Sequence, residues 1–411
     1  MERVVVTGLG VISPLGNTPL ELFDNLVKGR SGLDRIQSFD PKDLATQIAG
    51  EVKNLDLSEH FSLKEQKRYD RYSQFAILAA DQAIEQSGLM ESTPDPCRMG
   101  VFVGSGIGGI QTLESTHEKF LSKGPRSVSP FFISNLISNM AGGNIAIRHG
   151  LKGTNFCMTS ACATGTHCIG EAFKEIRSGS QDVMIAGGAE SSITPLTVAG
   201  FSNMKAMSRQ NEAPMKASRP YDLNRDGFVM GEGAGVIVLE SLSHAKKRGA
   251  QILAEVIGYG ATCDAHHITA VAPGGEGVVR AANLALKQAQ IEVEEVDYIN
   301  SHGTSTPIGD RYETEFIKTV FSDHARKLWI SSTKSMIGHL LGAAGGVESV
   351  VSVLSLSRGM VHPTRNLEEP DPECDLDYVS EGAREKGLRV VLKNSMGFGG
   401  HNAVLLFRAF S

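Results

Sequence analysis

The apolar and polar residues divide the chain into short apolar runs and longer amphipathic stretches, which alternate along its length. Short runs rich in β-branched residues are typical of buried strands, whereas the longer stretches repeat with a helical period. The pattern predicts strands at residues 4–7, 100–104, 183–186, 235–239, 254–258, 296–299, 328–331, 389–392 and 403–407. It predicts helices at residues 63–87, 164–178, 277–290, 311–321 and 339–358. We therefore expect an α/β protein with largely parallel sheets.

A weak internal repeat runs through this order of elements. Each half opens with a similar strand, VVVTGLG and then AEVIGYG, and each closes with a strand pair. Between them lie two strand-to-loop junctions, GSGIGG at Gly104 and TSACATG at Thr159 in the first half, and SHGTST at Ser301 and STKSMIGH at Ser332 in the second. Parallel sheets bind ligands at the carboxyl ends of their strands, so we expect all four loops at such ends.

The loop TSACATGTHC places Cys162 among small residues just before a predicted helix. A thiolate there would be stabilised by the partial positive charge and free N–H groups of the helix N-terminus. The alternative is a buried free cysteine without a chemical role. A zinc site formed with Cys157, His167 and Cys168 does not fit, because the loop has no CxxC pair.

Two further loops carry basic side chains. His302 follows an apolar strand and stands in a loop of small and hydroxyl residues that includes Thr304 and Thr306. Lys334 and His339 follow another strand and precede an apolar helix in which Glu348 is the nearest acid. A cation in apolar surroundings needs a partner, although a surface ion pair is the simpler alternative.

Two glycine-rich loops complete the set. NSMGFGGHN lies between two strands, and its glycines around Phe398 permit close approach of main-chain N–H groups to a ligand, or simply a hairpin. GSGIGG matches the dinucleotide fingerprint GxGxxG, but no acidic residue ends a second strand about 20 residues later, as that fingerprint requires.

Composition narrows the class of protein. The 411 residues fit one large or two medium domains, and we expect halves at 1–250 and 251–411. The net charge of −6 argues against nucleic-acid binding, and no apolar run is suited to span a membrane. No secretory leader is evident, and six cysteines in this length do not form a disulfide framework. We therefore expect a cytoplasmic protein, with an organelle matrix after processing as the alternative.

Without reference to any family, one cysteine, two histidines and one lysine in predicted strand-end loops suggest acyl transfer through a thioester. A thiolate attacks acyl groups readily, and paired imidazoles can donate hydrogen bonds to a carbonyl that gains negative charge. The sequence alone does not show that these loops meet.

TSACATG, SHGTSTPIGD, STKSMIGHLLGAAG and GFGGHN, in this order, resemble the β-ketoacyl-acyl carrier protein synthases, which are decarboxylating condensing enzymes. The similarity runs nearly from end to end. It implies the thiolase-like fold, in which two pseudo-repeated halves form a five-layered αβαβα core. No cofactor or metal is implied. The two histidines that accompany the cysteine favour the elongating branch, and Ile107 in GSGIGG resembles the type II enzyme, which has a bulky side chain there.

The resemblance also implies roles for single residues. Cys162 would take the acyl chain from acyl carrier protein, and His302 and His339 would bind the malonyl thioester carbonyl. Lys334, paired with Glu348, would order the site. The oxyanion hole would be the main-chain N–H groups of Cys162 and Phe398. Further residues would contact the substrate, namely Thr304 and Thr306 in the pantetheine tunnel and Ile107 and Phe398 as gates of the acyl pocket.

Two surfaces follow from the same resemblance. Residues 129–142 would contribute to a homodimer interface and to the pocket floor. An acidic carrier protein requires a basic docking patch. The candidates, of which the first four would share one side of a helix, are Lys64, Lys67, Arg68, Arg71, Lys123, Arg126, Lys205 and Arg209.

The sequence departs from the family pattern near the predicted pocket mouth. Met396 and His401 stand where Phe and Thr are more common, and residues 264–273 form a longer turn than expected. Three alternatives remain: a polyketide ketosynthase, a non-catalytic chain-length-factor-like subunit and an NAD-binding protein. Retention of Cys162 argues against the second, because such subunits lose the nucleophile.

Overall fold

A computed structural model describes residues 1–92 and 94–410. Its strands are β1 Val4–Ile12, β2 Asp34–Arg35, β3 Ile48–Ala49, β4 Met99–Gly104, β5 Val183–Glu190, β6 Gly233–Ser241, β7 Ala254–Cys263, β8 Tyr298–Asn300, β9 Trp329–Ser331, β10 Met360–Val361, β11 Arg384–Glu385, β12 Val390–Gly397 and β13 His401–Arg408. The predicted strands are all present, most of them longer than the sequence pattern indicated.

The helices cover the amphipathic stretches and several connections. They are α1 Pro19–Val27, α2 Leu63–Gln66, α3 Arg71–Ser87, α4 Ile110–Lys123, α5 Phe132–Leu136, α6 Met140–His149, α7 Thr164–Arg177, α8 Pro195–Asn203, α9 Pro214–Ala217, α10 Leu242–Lys247, α11 Glu276–Ala289, α12 Pro307–Phe321, α13 Lys334–Ile337 and α14 Ala344–Arg358. Short 3-10 turns at Ala161–Ala163 and Leu341–Ala343 lead into α7 and α14.

The strand order shows the internal repeat directly. The central sheet runs β4-β5-β6-β1-β7-β13-β12-β8-β9, and the antiparallel pair β1–β7 joins its two halves. Outward from that joint, each half continues through its antiparallel closing pair and then a parallel strand. The second half has one more parallel strand, β9, at its outer edge. At the matching place beside β4, the first half has only a single parallel bridge between Asn155 and Val101.

Helices fill the space between the two halves and cover both outer faces. α7 and α14 contact strands of both halves, and the largest buried apolar cluster surrounds them. α3 and α6 cover the outer face of the first half. α11 covers the second, and α12 packs beside α11 in the same buried apolar cluster. The five-layered α/β core expected from the sequence is therefore confirmed. The expectation of largely parallel sheets is wrong, because the closing strands of each half and the joint β1–β7 are antiparallel, which makes five of the eight strand pairs in the central sheet antiparallel.

The opening motifs are alike because a helix packs closely on each opening strand. A Cβ at Gly10 of β1 would lie 1.7 Å from the Ala79 carbonyl oxygen of α3. A Cβ at Gly260 of β7 would lie 1.9 Å from the Ala281 carbonyl oxygen of α11. Both positions therefore require glycine, and this requirement explains the recurrence of the G-x-G pattern in both halves.

Two predictions about local structure are wrong. The helix predicted over residues 63–87 is interrupted, because extended Asp70 accepts a hydrogen bond from the Tyr72 N–H and so caps a new helix at Arg71. Lys64, Lys67, Arg68 and Arg71 therefore do not share one helix face. The loop that carries Cys162 also follows no regular strand, since only the bridge at Asn155 precedes it.

Candidate active site

Cys162 occupies the middle of the 3-10 turn Ala161–Ala163, directly before α7. Cys162 is 9% exposed to solvent. Ala161 has a φ of 50°, a left-handed conformation that is unusual for a residue with a side chain and is typical of strained functional turns. Thr164 Oγ1 accepts a hydrogen bond of 2.9 Å from the Ser160 N–H, which ties the turn to the helix that follows.

The glycine-rich hairpin between β12 and β13 meets this turn. Gly397 has to be glycine, because a Cβ there would lie 2.6 Å from the Ser160 carbonyl oxygen and 3.3 Å from Cys162 N. The close approach brings the Phe398 N–H near the thiol of Cys162, and this N–H and that of Cys162 itself both act to lower the pKa of the thiol. Two main-chain donors therefore converge where an oxyanion could form.

The thiol of Cys162 is protonated at rest. Burial raises its pKa to about 11, although Lys334 and the two N–H groups act in the opposite direction. The sequence indicated a stabilised thiolate, and the N–H groups do favour one, but the loss of solvent outweighs them. The sulfur must therefore give up its proton as it attacks.

His302 and His339 face each other across the same space. His302 follows β8, His339 follows α13, and their ring centroids are 5.4 Å apart at 90°. The pKa of each imidazole lies well below its ordinary value, because both are buried and Lys334 and Lys393 carry positive charge nearby. Both rings are therefore neutral at pH 7.

The hydrogen bonds of His339 define its tautomer. Nδ1 accepts a hydrogen bond of 3.3 Å from the Leu341 N–H, so the ring proton is on Nε2. Nε2 is buried and has no partner among the described residues. It is thus an unused donor, as a group that binds a carbonyl oxygen has to be.

A buried carboxylate fixes the loop that carries His302. Glu313 of α12 accepts hydrogen bonds of 2.7 Å from each of the N–H groups of His302 and Gly303. It also accepts from Asn394 Nδ2 at 2.6 Å and from the Tyr221 hydroxyl at 2.9 Å. The imidazole therefore stands on a rigid base that links α12 to β12.

A buried ion pair lies beneath the histidines. The ammonium group of Lys334 contacts the Glu348 carboxylate, and each side chain is 1% exposed. Lys334 thus has the partner that the sequence assigned to it, and the surface ion pair is excluded. Lys393, which the sequence analysis missed, reaches the other carboxylate oxygen at 2.9 Å. Its only signal was a lysine directly after the apolar run VVL.

A cavity of about 310 Å³ brings the predicted groups together. Cys162, His302 and His339 all line it. Further lining residues that the sequence singled out are Thr304, Thr306, Met396, Phe398, Lys205 and part of the 264–273 turn, namely Asp264, Thr269, Ala270 and Val271. The loops of the two halves therefore do meet, as the acyl-transfer hypothesis requires.

Two aromatic rings that the sequence analysis missed, Phe201 and Phe228, connect Phe398 to His339. Phe398 lies 6.2 Å from Phe201, Phe201 lies 5.4 Å from Phe228, and Phe228 packs edge-on at 5.5 Å against His339. A movement of Phe398 would therefore shift the packing of the aromatic rings along one wall of the cavity.

Some candidates lie elsewhere. Ile107 is 37% exposed and is not among the residues that line the cavity. His401 is also outside the cavity lining and packs against the ring of His167 at 6.3 Å. Arg71 forms an ion pair of 2.9 Å with Glu232, and thus has a partner within the chain. The other docking candidates are exposed.

The main-chain N–H groups of the GSGIGG loop donate hydrogen bonds to a side chain of the protein itself. Glu190, at the end of β5, accepts hydrogen bonds from the N–H groups of Gly106 at 2.8 Å and Ile107 at 3.3 Å. It also accepts one from the Gly342 N–H at 3.0 Å, in the turn before α14. A carboxylate therefore stands where a dinucleotide phosphate would need these donors, which argues against the NAD-binding alternative.

Features of two other kinds, a metal site and a membrane-spanning helix, are absent from the described residues. They contain no group of three or more histidine, cysteine, aspartate or glutamate side chains that could hold a metal ion. No helix in residues 1–92 and 94–410 is both long and apolar enough to cross a membrane.

Comparisons with known proteins agree with this geometry. The chain is 49% identical to the 3-oxoacyl-[acyl-carrier-protein] synthase 2 of Staphylococcus aureus strain COL over 100% of this chain and 99% of that protein. It is 49% identical to the enzyme of that name from Synechocystis sp. PCC 6803, over 100% and 98%. A solved ketosynthase–acyl-carrier protein complex, from a type II polyketide synthase, matches with a TM-score of 0.93 and 35% identity over 100% of both chains.

Family models match most of the chain. Residues 1–245 match the model described as Beta-ketoacyl synthase, N-terminal domain, and residues 253–368 match the model of its C-terminal domain. With the cysteine, the two imidazoles and the paired N–H groups on one cavity, these matches lead to one conclusion. The chain belongs to the β-ketoacyl synthase family.

Proposed function

We propose that this protein is a 3-oxoacyl-[acyl-carrier-protein] synthase, which lengthens acyl chains by two carbons in fatty-acid synthesis. The observation that supports this most strongly is the shared cavity, where a nucleophilic sulfur faces two neutral imidazoles. Each part of the cavity suits one stage of a decarboxylative condensation.

In the first stage, Cys162 Sγ attacks the thioester carbonyl of an acyl-carrier substrate. A sulfur–carbon bond forms, and negative charge moves to the carbonyl oxygen, which the N–H groups of Cys162 and Phe398 stabilise. The tetrahedral intermediate collapses, and the carrier thiol leaves with the proton that Sγ has lost. The acyl chain now rests on Cys162.

In the second stage, malonyl carrier protein binds with its thioester oxygen against His302 and His339. The bond to the carboxylate carbon breaks, CO2 leaves, and the electron pair forms an enolate held by the imidazole N–H groups. The enolate carbon attacks the Cys162 thioester, and the carbon–sulfur bond breaks. The sulfur leaves as a thiolate and takes up one proton from solvent, and a 3-oxoacyl carrier product is released.

A reconstituted reaction tests this proposal. Purified protein with acyl- and malonyl-loaded carrier protein should release one CO2 per product, and mass spectrometry should show a carrier-bound 3-oxoacyl chain two carbons longer than the starting chain. Consumption of neither substrate, or hydrolysis without a new carbon–carbon bond, would contradict the proposal.

Polyketide chemistry is the second candidate, favoured by the solved relative described as bound to a hexaketide. That relative is 35% identical, whereas the relatives named as 3-oxoacyl carrier protein synthases are 49% identical. The reconstituted reaction separates the two, because a polyketide ketosynthase would extend its own 3-oxo product repeatedly. A chain-length factor would lack the nucleophile that Cys162 provides.

We propose a homodimer that covers an exposed apolar surface. Ile133 and Ile137, in and beside α5, are 60% and 41% exposed, and Ile107 is 37% exposed. The Gly109 N–H, two residues after Ile107, donates to the Leu136 carbonyl, so these side chains stand on connected loops. Apolar side chains grouped in this way are typical of an interface with a second protein chain.

The same surface explains how Ile107 could gate an acyl pocket that it does not line within one chain. A second copy would close the space around it. Ile107→Phe should then reduce turnover of long acyl chains by roughly 10-fold or more and spare short ones, because added volume in a closed apolar pocket is costly.

Competition between short and long acyl carriers measures this preference. Ile147→Phe, at a 78% exposed position on α6, is the matched control and should keep the wild-type product profile. An unchanged profile for Ile107→Phe would remove this residue from the gate.

We propose that the carrier protein docks on basic residues around the cavity mouth. Lys205 lines the cavity and is exposed, and Arg209 is exposed nearby in the chain. Lys64, Lys67, Arg68, Lys123 and Arg126 remain exposed candidates for the same surface. Arg71 is left out of this set, because charge reversal there would place two carboxylates together at Glu232.

Reversal of both Lys205 and Arg209 to Glu should weaken carrier-protein binding by roughly 10-fold at low salt, and less at high salt, because attraction between exposed charges is screened. Titration of acyl carrier protein at two salt concentrations measures the effect. Reversal of Lys246 and Lys247 on α10 is the control. Equal affinity for both double variants would show that the first pair is ordinary surface charge.

Two further proposals concern organisation and compartment. We propose that the halves divide at residues 250 and 251, between α10 and β7, where the repeated topology begins again. We also propose that the protein acts in the cytoplasm. All six of its cysteines are free thiols, which suits a reducing compartment.

A further inference from the structure

Lys393 has no role in the mechanism described so far, yet it is among the largest fully buried side chains of the protein. It lies on β12, five residues before Phe398, and its side chain is 0% exposed. Burial of an ammonium group is costly unless it is paired, so its position calls for a reason.

The surroundings of Lys393 are polar and specific. Nζ lies 2.9 Å from Glu348 Oε2 and donates a hydrogen bond of 3.1 Å to Ser395 Oγ. It also donates to the Asn394 carbonyl oxygen. Ser395 Oγ in turn is 2.7 Å from Thr166 Oγ1 on α7, the helix that begins after Cys162. The ammonium thus joins β12 to both central helices.

One carboxylate serves two lysines in this cluster. Lys334 contacts one oxygen of Glu348 and Lys393 contacts the other. Two positive charges face one negative charge, so the trio carries a net positive charge with both ammonium groups protonated. Because the trio is buried, that charge acts on its neighbours with little screening.

We propose that Lys393 is a positioning residue of this site, whose ammonium clamps Glu348 on the oxygen that Lys334 leaves free and adds positive charge behind the two imidazoles. This proposal rests on the proposed function. The charge disfavours protonation of the histidines, so each enters the reaction as a neutral N–H donor. It also favours the enolate and oxyanion, which develop negative charge nearby.

The groups facing Lys393 come from several elements. Glu348 lies on α14, Lys334 on α13 and Glu313 on α12, and all three act on its pKa. His302 and His339 approach from the loops after β8 and α13, and both have their pKa lowered by Lys393. The strand neighbours of Lys393 in register, Asn300 on β8 and Leu405 on β13, are uncharged.

The protonation of Lys393 makes the proposal testable through the pH dependence of the reaction. Burial, opposed by Glu348, lowers the pKa of Lys393 to about 8. Below that pH the ammonium is charged, and the site has its full positive potential. Above it, Lys393 loses its proton and the stabilisation of the enolate weakens. Malonyl decarboxylation should therefore decline as the pH rises through about 8.

The test is the pH profile of CO2 release from malonyl carrier protein between pH 6 and 10, for wild-type protein and variants. Lys393→Met should lower the neutral-pH rate roughly 10-fold and abolish the decline that begins near pH 8. Lys393→Arg stays protonated throughout this range, and should retain more activity than Lys393→Met and also lack the decline. Lys216→Met, at an exposed lysine, should match the wild type in both respects.

Three results would overturn the proposal. One is a wild-type profile that does not decline near pH 8. The second is a Lys393→Met variant that keeps the wild-type rate and profile. The third is a variant whose melting temperature falls while the shape of its profile stays that of the wild type, which would indicate a purely structural role. The pH profile of CO2 release by the wild-type protein tests the proposal even if a variant does not fold.

Failure of the proposed function gives a different result. Wild-type protein that releases no CO2 at any pH would contradict the condensing activity itself. Release of CO2 by the wild type, with an unaltered rate and profile in Lys393→Met, would contradict only the assignment of Lys393.

Discussion

Cys162→Ala should form no acyl-enzyme and should lower condensation by at least about 10³-fold, because no other group takes over covalent attack once the nucleophile is removed. The other buried cysteines do not compensate. Cys168 lies six residues further along α7, is 0% exposed, and burial raises its pKa well above its ordinary value. It is also absent from the residues that line the cavity.

Intact-protein mass spectrometry after incubation with acyl carrier protein measures the adduct, and product analysis measures condensation. Cys168→Ala is the matched control: it removes a second buried thiol, on the helix that follows the Cys162 turn, and should keep the adduct. Persistence of an adduct on Cys162→Ala would move the acylation site to another residue.

His339→Ala and His302→Ala should each reduce CO2 release from malonyl carrier protein by roughly 10²-fold or more, because removal of one donor to a developing oxyanion commonly costs this much. Acylation of Cys162 should change far less, since the main-chain N–H groups of Cys162 and Phe398 support that step. The two stages of the reaction should therefore separate in these variants.

Release of labelled CO2 and the rate of acyl-enzyme formation, measured on the same preparations, provide the two readouts. His60→Ala, at an exposed position, is the control and should leave both unchanged. Equal losses in both stages would indicate that the histidines serve the structure of the site rather than the enolate. Unchanged CO2 release would remove them from the reaction.

Much of the site could be predicted because its chemistry is concentrated in short loops between regular elements. Cys162, His302 and His339 each stand where an apolar segment gives way to small residues, and this change is visible in the sequence. The spacing does not show that loops 140 and 177 residues beyond Cys162 share a cavity with it, and the resemblance implied this. The strand order explains the meeting, since the two halves have the same topology and face common central helices.

Other features could not be predicted, because they depend on contacts distant in sequence. The sequence shows Lys393 only as a lysine on a strand. Its contact with Glu348, which also binds Lys334, exists only in the folded chain. Glu190 ends an apolar strand, and its hydrogen bonds to two separate loops exist only in the folded chain. Burial of Cys162, which decides its protonation, is likewise a tertiary property.

The wrong helix prediction has a local cause. Charged residues at helical spacing continue through residues 64–71, so the periodicity alone does not reveal a break. Asp70 is the signal that could have shown it, because Asp favours the position just before a helix. The structure also gives Asp70 hydrogen bonds from the N–H and hydroxyl of Thr112, which hold it in the capping conformation.

A chase experiment on the wild-type protein tests most directly whether Cys162 carries the acyl chain during condensation. The enzyme is first loaded from acyl carrier protein. One portion is then digested and mapped by mass spectrometry, and the remaining intact enzyme is exposed to malonyl carrier protein. The acyl mass should appear on the peptide that contains Cys162, and should vanish at the rate at which CO2 and the 3-oxoacyl carrier product form. An acyl group on a different peptide, or one that survives the malonyl chase while product accumulates, would contradict this role of Cys162.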